Sequence, residues 1–446
     1  EEQMLIEMTR GLSDIYDVLT HLTFLYIEAE KIRENALDGK NRKTKPWIML
    51  EQIVQKISSK QKFNKEVGFT YLSSILGRTF EDIEEIYDRF EKANKVSNLF
   101  EIIYWMGKRS IEEHLEQNDR EINFSSALRE TLGHHVYGTK WAQKIKKSLI
   151  DDQLFDKPIH VISSNMHSVM NCIYAQKALS KSFHNKTIEE LAEVLSKSTS
   201  KKLRDTVKKY ALKNGMKEIH DPSGTNISVQ IFNLEKLNLK EIALLVGKEK
   251  TVKKSDIIVV MDYAFGQQAF ETMDELLKPY DGDKEKTPWD VKSISIMGKA
   301  GILTGVKGDV MIPNAHIFEG SADNYPFENK LTSADFESYG VFNVFSGPMI
   351  TVLGTSLQNK DILRYFMKSS WSAIGLEMEG AHYQKAIQAA ANIRHSVDFN
   401  IEIRYAYYAS DNPLESGATL ASGSLGLDGV SPTYAITKEI LKGILS

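Results

Sequence analysis

A chain of 446 residues, 42% hydrophobic and 26% charged, can bury two cores and has the charge content of an ordinary soluble protein. Its formal net charge of −4 gives no global pull toward nucleic acid or membrane, so neither is expected as a partner, although a local patch stays open. The lone Cys172 rules out an intrachain disulfide and points to a reducing cytoplasm; there is no signal peptide or long apolar run, and the first residue is Glu rather than Met, which leaves room for a segment upstream.

Residues 1–150 read as an all-helical N-terminal domain. Leu12, Ile15, Tyr16, Leu19, Leu22, Thr23, Tyr26 and Ile27 recur at helical spacing. Trp47, Leu50, Ile53, Val54 and Ile57 mark a second helix beyond the polar connector 39–44, and 80–90 and 99–106 continue the pattern. The adjacent His134 and His135 lack further ligands at suitable spacing, so no metal is expected.

Residues 151–446 alternate strands with helices, which predicts a separate α/β domain. Pro158 to Ser163 reads as its first strand, and an apolar helical run, Val169 to Leu179, follows. The turn between them therefore lies at a helix N-terminus suited to anions; it carries Asn165 and His167 and no acid. A helical insertion at about 180–225 precedes the next strand, Ile227 to Phe232. Within it Lys197, Lys201, Lys202, Lys208 and Lys209 form either a solvated face or a partner-binding one.

Further on, Val291 to Met297 reads as a strand and Gly298-Lys299-Ala300-Gly301 as a turn that lets a ligand approach bare backbone. Gly308-Asp309-Val310 begins another strand. Glu379 in Gly375-Leu376-Glu377-Met378-Glu379-Gly380 sits at the mouth of a helix marked by Ala381, Tyr383, Ala386 and Ile387. The helix dipole and free N–H groups there should keep its carboxylate ionised and able to accept hydrogen bonds from a sugar diol. Ile401, Ile403, Tyr405 and Tyr407 alternate as a strand that Pro413 stops, which puts Asp411 just past its carboxyl end, where open α/β sheets bind ligands. The Gly- and Ser-rich stretch 416–431 is either a lid over the site or a linker to a last helix, Tyr434 to Leu445.

The order of these motifs resembles the nucleoside phosphorylase and nucleosidase superfamily. Gly298 to Gly301, Gly308 to Pro313, Glu377 to Glu379 and Ser410-Asp411 match its glycine turn, Gly-Asp-Val strand, Glu-Met-Glu and Ser-Asp. Met261 to Leu277, with Gly266 at the bend, is similar to the strand, turn and helix that precede the glycine turn. The likeness covers about 256–446, and Ser-Asp-Asn-Pro-Leu looks closest to AMP nucleosidase, which also has an additional N-terminal domain. The resemblance implies a three-layer αβα fold with a mixed central sheet, a purine nucleotide or nucleoside substrate, no cofactor and a homo-oligomer. By the same resemblance Glu379 holds the ribose hydroxyls, Met378 packs on the sugar, and Asp411 passes a proton to purine N7. The base then leaves neutral while the anion offsets positive charge on the sugar ring, a logic shared with glycoside hydrolases.

This chain departs from the family at the nucleophile. Ile296-Met297 stand where phosphorolytic members commonly carry an arginine, which favours water over phosphate; a phosphate-dependent phosphorylase and a catalytically degenerate nucleotide sensor remain the alternatives. Lys299 either binds a 5′-phosphate as a point charge or is solvated. The family's water-activating Glu has no evident counterpart, and His167 is the candidate general base.

Overall fold

The computed structural model describes residues 5–6, 12–94, 97–117, 121–126, 136–184, 186–221, 223–237, 255–282, 286–321, 323–354, 359–415 and 426–445. The chain divides into two compact units, Val18–Ser126 and a second made of Glu1–Asp17 with Ala127–Ser446. His134, His135 and residues 416–425 of the expected lid lie outside the described residues.

The smaller unit is helical, with most of α1 (Leu12–Ala36), then α2 (Lys45–Ser58), α3 (Lys65–Leu76), α4 (Phe80–Asn94) and α5 (Leu99–Glu116). Asn64 caps α3 by accepting the Val67 N–H, and Gly77, at φ +62°, ends it in the left-handed conformation that favours glycine. Its core joins Trp47, Leu50 and Ile53 to Phe69, Leu72 and Ile75 and to Phe100 and Ile103. Helix α1 buries a different stripe from the one its spacing predicts. Of the predicted positions Ile15 is buried but Tyr16 and Ile27 are exposed, and Ala29, Ile32 and Ala36 are buried outside that stripe, because the contacts of α1 with α2 and α5 fall on its last turns.

The larger unit opens with α6 (Val136–Asp151), β1 (Ile159–Ser163), α7 (Ser168–Ala178), α8 (Ile188–Ser196), α9 (Lys201–Lys213), β2 (Met216–Ile219), β3 (Val229–Asn233) and β4 (Ile257–Met261). It continues through α10 (Gln268–Leu276), the hairpin β5 (Tyr280–Asp281) and β6 (Lys286–Thr287), β7 (Val291–Ile302), β8 (Val310–Phe318), β9 (Asn324–Pro326) and β10 (Val344–Thr351). Last come α11 (Lys360–Lys368), β11 (Gly375–Glu377), α12 (Gly380–Gln388), β12 (Glu402–Asp411) and α13 (Val430–Leu445). The main sheet runs β11-β10-β8-β12-β7-β1-β4-β3-β2, with β9 on β8. β1 is parallel to β4 and β7, whereas β2 and β3 are antiparallel, so the sheet is mixed. Because β11 also pairs with β7, the strands β7, β12, β8, β10 and β11 close into a ring.

Both faces of the sheet are covered. Ile159, Val161, Ile257 and Val259 pack under α6, α10 and α12, while Ile162, Ile258 and Val260 pack under α7, α8, α9 and α13. This is the three-layer αβα arrangement, and it explains why β4, Ile257 to Met261, is an unbroken apolar run rather than an alternation. Cys172 belongs to the second of these cores. The insertion supplies α8, α9 and an edge strand, β2, that its sequence pattern does not betray. Among its lysines Lys208 pairs with Glu218 of β2 at 2.6 Å.

One expectation is corrected. Gly298 to Gly301 do not turn the chain; β7 continues through them to Ile302, paired with Tyr407 to Asp411 of β12. None of the four has a positive φ, and the pairing offered by both β12 and β11 extends the strand past the point where glycine content predicts a stop.

Candidate active site

The geometry of the site starts from Gly301. It pairs with Leu376 of β11 on one side and with Asp411 of β12 on the other. Two interstrand spacings, about 10 Å, therefore separate the backbone of Asp411 from the strand that delivers Glu377, Met378 and Glu379. Asp411 is the last residue of β12, not one beyond it, and it is 8% exposed. The Ser410 hydroxyl is placed to donate either to the Ala300 carbonyl, at 3.1 Å, or to Asp411 Oδ1, at 2.5 Å. Asp309 holds this end of β12 from below: its carbonyl accepts the Ala409 N–H at 2.8 Å and its carboxylate takes the N–H groups of Val306 and Asn343 at 2.9 Å each.

The roles of the two glutamates differ from the sequence expectation. Glu379 is the residue before α12 but makes no capping bond. Glu377 does that work: its Oε2 accepts the Glu379 N–H at 2.5 Å and the Gly380 N–H, and its Oε1 accepts the Thr351 hydroxyl at 2.5 Å. Thr351 in turn accepts the Ala381 N–H at 2.9 Å. With the helix end satisfied by Glu377, Glu379 turns outward and is held by the Gly266 N–H at 2.9 Å. Gly266 has φ +52°, the backbone that points this N–H at the site and that other residues adopt only with strain.

Nor is Glu379 held firmly ionised. Burial, reinforced by the negative charge of Glu377, raises its pKa above the ordinary glutamate value, and the Gly266 N–H only partly offsets this. Burial also raises Glu377, against the pull of the Thr351 hydroxyl and the Gly380 and Glu379 N–H groups. Glu377 is 2% exposed, whereas Glu379 keeps partial contact with solvent, and that contact offsets part of the effect of burial.

The floor of the site is aromatic and tightly packed. A Cβ on Gly380 would stand 2.2 Å from His316 Cδ2, so this helix start has to be glycine. His316 is fully buried against Phe327, Tyr405 and Tyr407, and burial pushes its pKa down to about 3, leaving a neutral ring. Met378 packs with Ile350, Val352 and Leu376.

At the β1 end, Asn165 rather than His167 caps α7, its Oδ1 accepting the N–H groups of His167 and Ser168 at 3.2 and 2.7 Å. His167 occupies the N-cap position without a side-chain cap bond and is exposed. Partial burial of its ring lowers its pKa, with Asp262 acting in the opposite sense. Gly298 lies under Tyr263, whose Cε1 would be 4.0 Å from a Cβ there, and Lys299 is exposed beside Tyr408 of β12. Sequence reasoning missed Thr351, Tyr383 and Asp262. Tyr383 lies one helical turn after Glu379 and its hydroxyl is 2.9 Å from Ser163 Oγ, a spacing that marks the same helix face. Among the described residues no group of His, Cys, Asp or Glu is placed to hold a metal, and no helix is long and apolar enough to cross a membrane.

The model of a family of unknown function, DUF6909, matches residues 1–211 and 176–446. No curated protein matches the chain. Similar solved structures include a futalosine hydrolase mutant of Helicobacter pylori, at 12% identity and TM-score 0.37, covering 64% of this chain and 98% of that one. Another is the 5′-methylthioadenosine/S-adenosylhomocysteine nucleosidase of Neisseria meningitidis in complex with methylthio-immucillin-A, at 11% identity and TM-score 0.38, covering 64% and 99%. The corresponding nucleosidase of S. pneumoniae with a transition-state inhibitor matches at 13% identity and TM-score 0.36, covering 64% and 98%.

Proposed function

The chain belongs to the family of unknown function DUF6909, and we propose that it cleaves the N-glycosidic bond of a purine nucleoside or nucleotide with water as nucleophile. The observation that carries this reading is the convergence on Gly301, which sets Asp411 and the Glu377-Met378-Glu379 segment on either side of one strand. In the proposed mechanism Asp411 protonates purine N7 while the ionised Glu379 accepts from the ribose hydroxyls. The bond then breaks into a neutral base and a sugar cation next to an anion. Glu377 anchors the helix that carries Glu379, and Gly266 fixes the Glu379 carboxylate.

Within that class the run Ser410-Asp411-Asn412-Pro413-Leu414 and the exposed Lys299 on β7 favour a nucleoside 5′-monophosphate. Incubation of the protein with AMP, ATP, adenosine, inosine and methylthioadenosine, with and without phosphate, tests the reading by chromatography of free base. Release without phosphate is expected, with AMP the best substrate. Strict phosphate dependence would make the protein a phosphorylase, and binding without turnover would make it a sensor.

A further inference from the structure

Hydrolysis needs a group that takes a proton from the attacking water, and the β1 turn carries no carboxylate. The neighbouring strand supplies one. Met261, the last residue of β4, pairs with Ser163, the last residue of β1, and the Ser164 N–H donates to the Met261 carbonyl at 3.0 Å. The next residue, Asp262, is therefore level with the start of the β1 turn. Its backbone is tied down by its own N–H donating to the Ser228 carbonyl at 3.0 Å, and its Oδ1 accepts the Tyr263 N–H at 2.9 Å.

The segment from Asp262 to Gly266 follows one face of α12. Gly266 meets Glu379, and the Asp262 carboxylate acts electrostatically on Tyr383, four residues along the same helix, as well as on His167. Asp262 is half-buried, so it combines a fixed backbone with a carboxylate that solvent can reach. The sheet order β12-β7-β1-β4 separates the Asp411 backbone from Asp262 by three interstrand spacings, about 14 Å. That span can hold an anomeric carbon and one water between an acid and a base on opposite faces of the sugar.

We propose that Asp262 is the general base that activates this water, an assignment that rests on the hydrolytic reading above. The water oxygen bonds to C1′ as the C1′–N9 bond breaks and leaves its electron pair on the base. Asp411 gives its proton to N7 and Asp262 takes one from the water, so base and sugar leave neutral and solvent restores both carboxyl groups. His167, at the mouth of the same turn, is then a neighbour of the base rather than the base itself.

The test uses whichever of AMP, adenosine or inosine the wild-type protein cleaves. Wild-type turnover is read first, so that failure of the hydrolytic reading is seen separately from failure of this assignment. Asp262→Ala and the near-isosteric Asp262→Asn should each lower base release about 10²–10⁴-fold, with circular dichroism and KM close to wild type. Sodium formate or azide should restore base release in Asp262→Ala at least tenfold, azide by forming the ribosyl azide, and should do nothing for Asp411→Asn. His167→Ala should stay within about tenfold of wild type. Wild-type rates in both Asp262 variants, or a folded Asp262→Ala that neither anion rescues, would overturn the assignment.

Discussion

The two ends of the central sheet both hold buried ionisable groups, and the groups differ in what can reach them. At the amino end His160 of β1 shares one hydrogen bond with Ser293 Oγ, at 2.7 Å, and another with Asp256, at 3.1 Å. Serine, histidine and aspartate in line resemble a nucleophilic triad. Yet Ser293 is 0% exposed, with His160 and Asp256 at 4% and 3%, so no substrate can reach the hydroxyl, and the cluster joins β1, β4 and β7 instead. At the carboxyl end the acids are supported by backbone N–H groups, and Glu379 keeps partial contact with solvent. Constellation alone does not make a site; what distinguishes the two ends is which polar groups solvent can still reach.

The contrast is sharpest in activity. Asp411→Asn should reduce base release about 10²–10⁴-fold with an unchanged melting curve, while Ser293→Ala should leave turnover unaltered. Equal losses in the two variants would break the comparison. Next in size, Glu379→Gln removes a charge-assisted interaction of about 1.5–3 kcal/mol, so kcat/KM should fall by roughly ten- to hundredfold, as steady-state kinetics would show. At the other end, His160→Ala leaves Ser293 and Asp256 buried without their shared partner, which should cost about 1–3 kcal/mol in a urea titration and spare kcat in the folded fraction.

The smallest effect is in pH. Glu379 must be anionic to accept from the ribose, and its raised pKa places the acid limb of kcat/KM above the usual glutamate value of 4.5. Glu377→Gln removes the neighbouring negative charge and should move that limb to lower pH. The same shifts bear on stability. A carboxyl that binds its proton more tightly when folded contributes stability in full below its unfolded pKa and loses it as pH rises through the folded value. Glu379→Gln should therefore raise the melting temperature at pH 8–9 more than at pH 4.

Much of the larger unit was legible in its sequence. β1, β3, β8 and β12 and the helix after Glu379 follow from apolar patterning and from Pro413, whereas Gly266 at its bend follows only from the family resemblance. Length of pairing was not legible. Gly298 to Gly301 look like a turn by composition, and only the partners on both sides make them strand. The division of labour between Glu377 and Glu379 was equally hidden, since either can end a strand before a helix, and the choice is fixed by Thr351, which arrives from β10. Asp262 gave no local signal because its relevance depends on β1 and β4 being neighbours. In the smaller unit helical spacing found α2 readily but misplaced the buried face of α1, where tertiary contacts select among several apolar stripes.

Closure of β7, β12, β8, β10 and β11 into a ring also bears on how copies of this protein behave when crowded. An open sheet offers a row of unpaired amides along each border, and such borders seed aggregation. Here one border is consumed by the ring, apart from the three residues of β9, and the other is β2, four residues long. Lys217 and Glu218 of β2 are tied to Asp152 and Lys208, each at 2.6 Å. A strand that short, flanked by paired charges, is a poor template for a passing chain, so the fold that gathers the candidate acids around Gly301 also guards its own hydrogen-bonding edges.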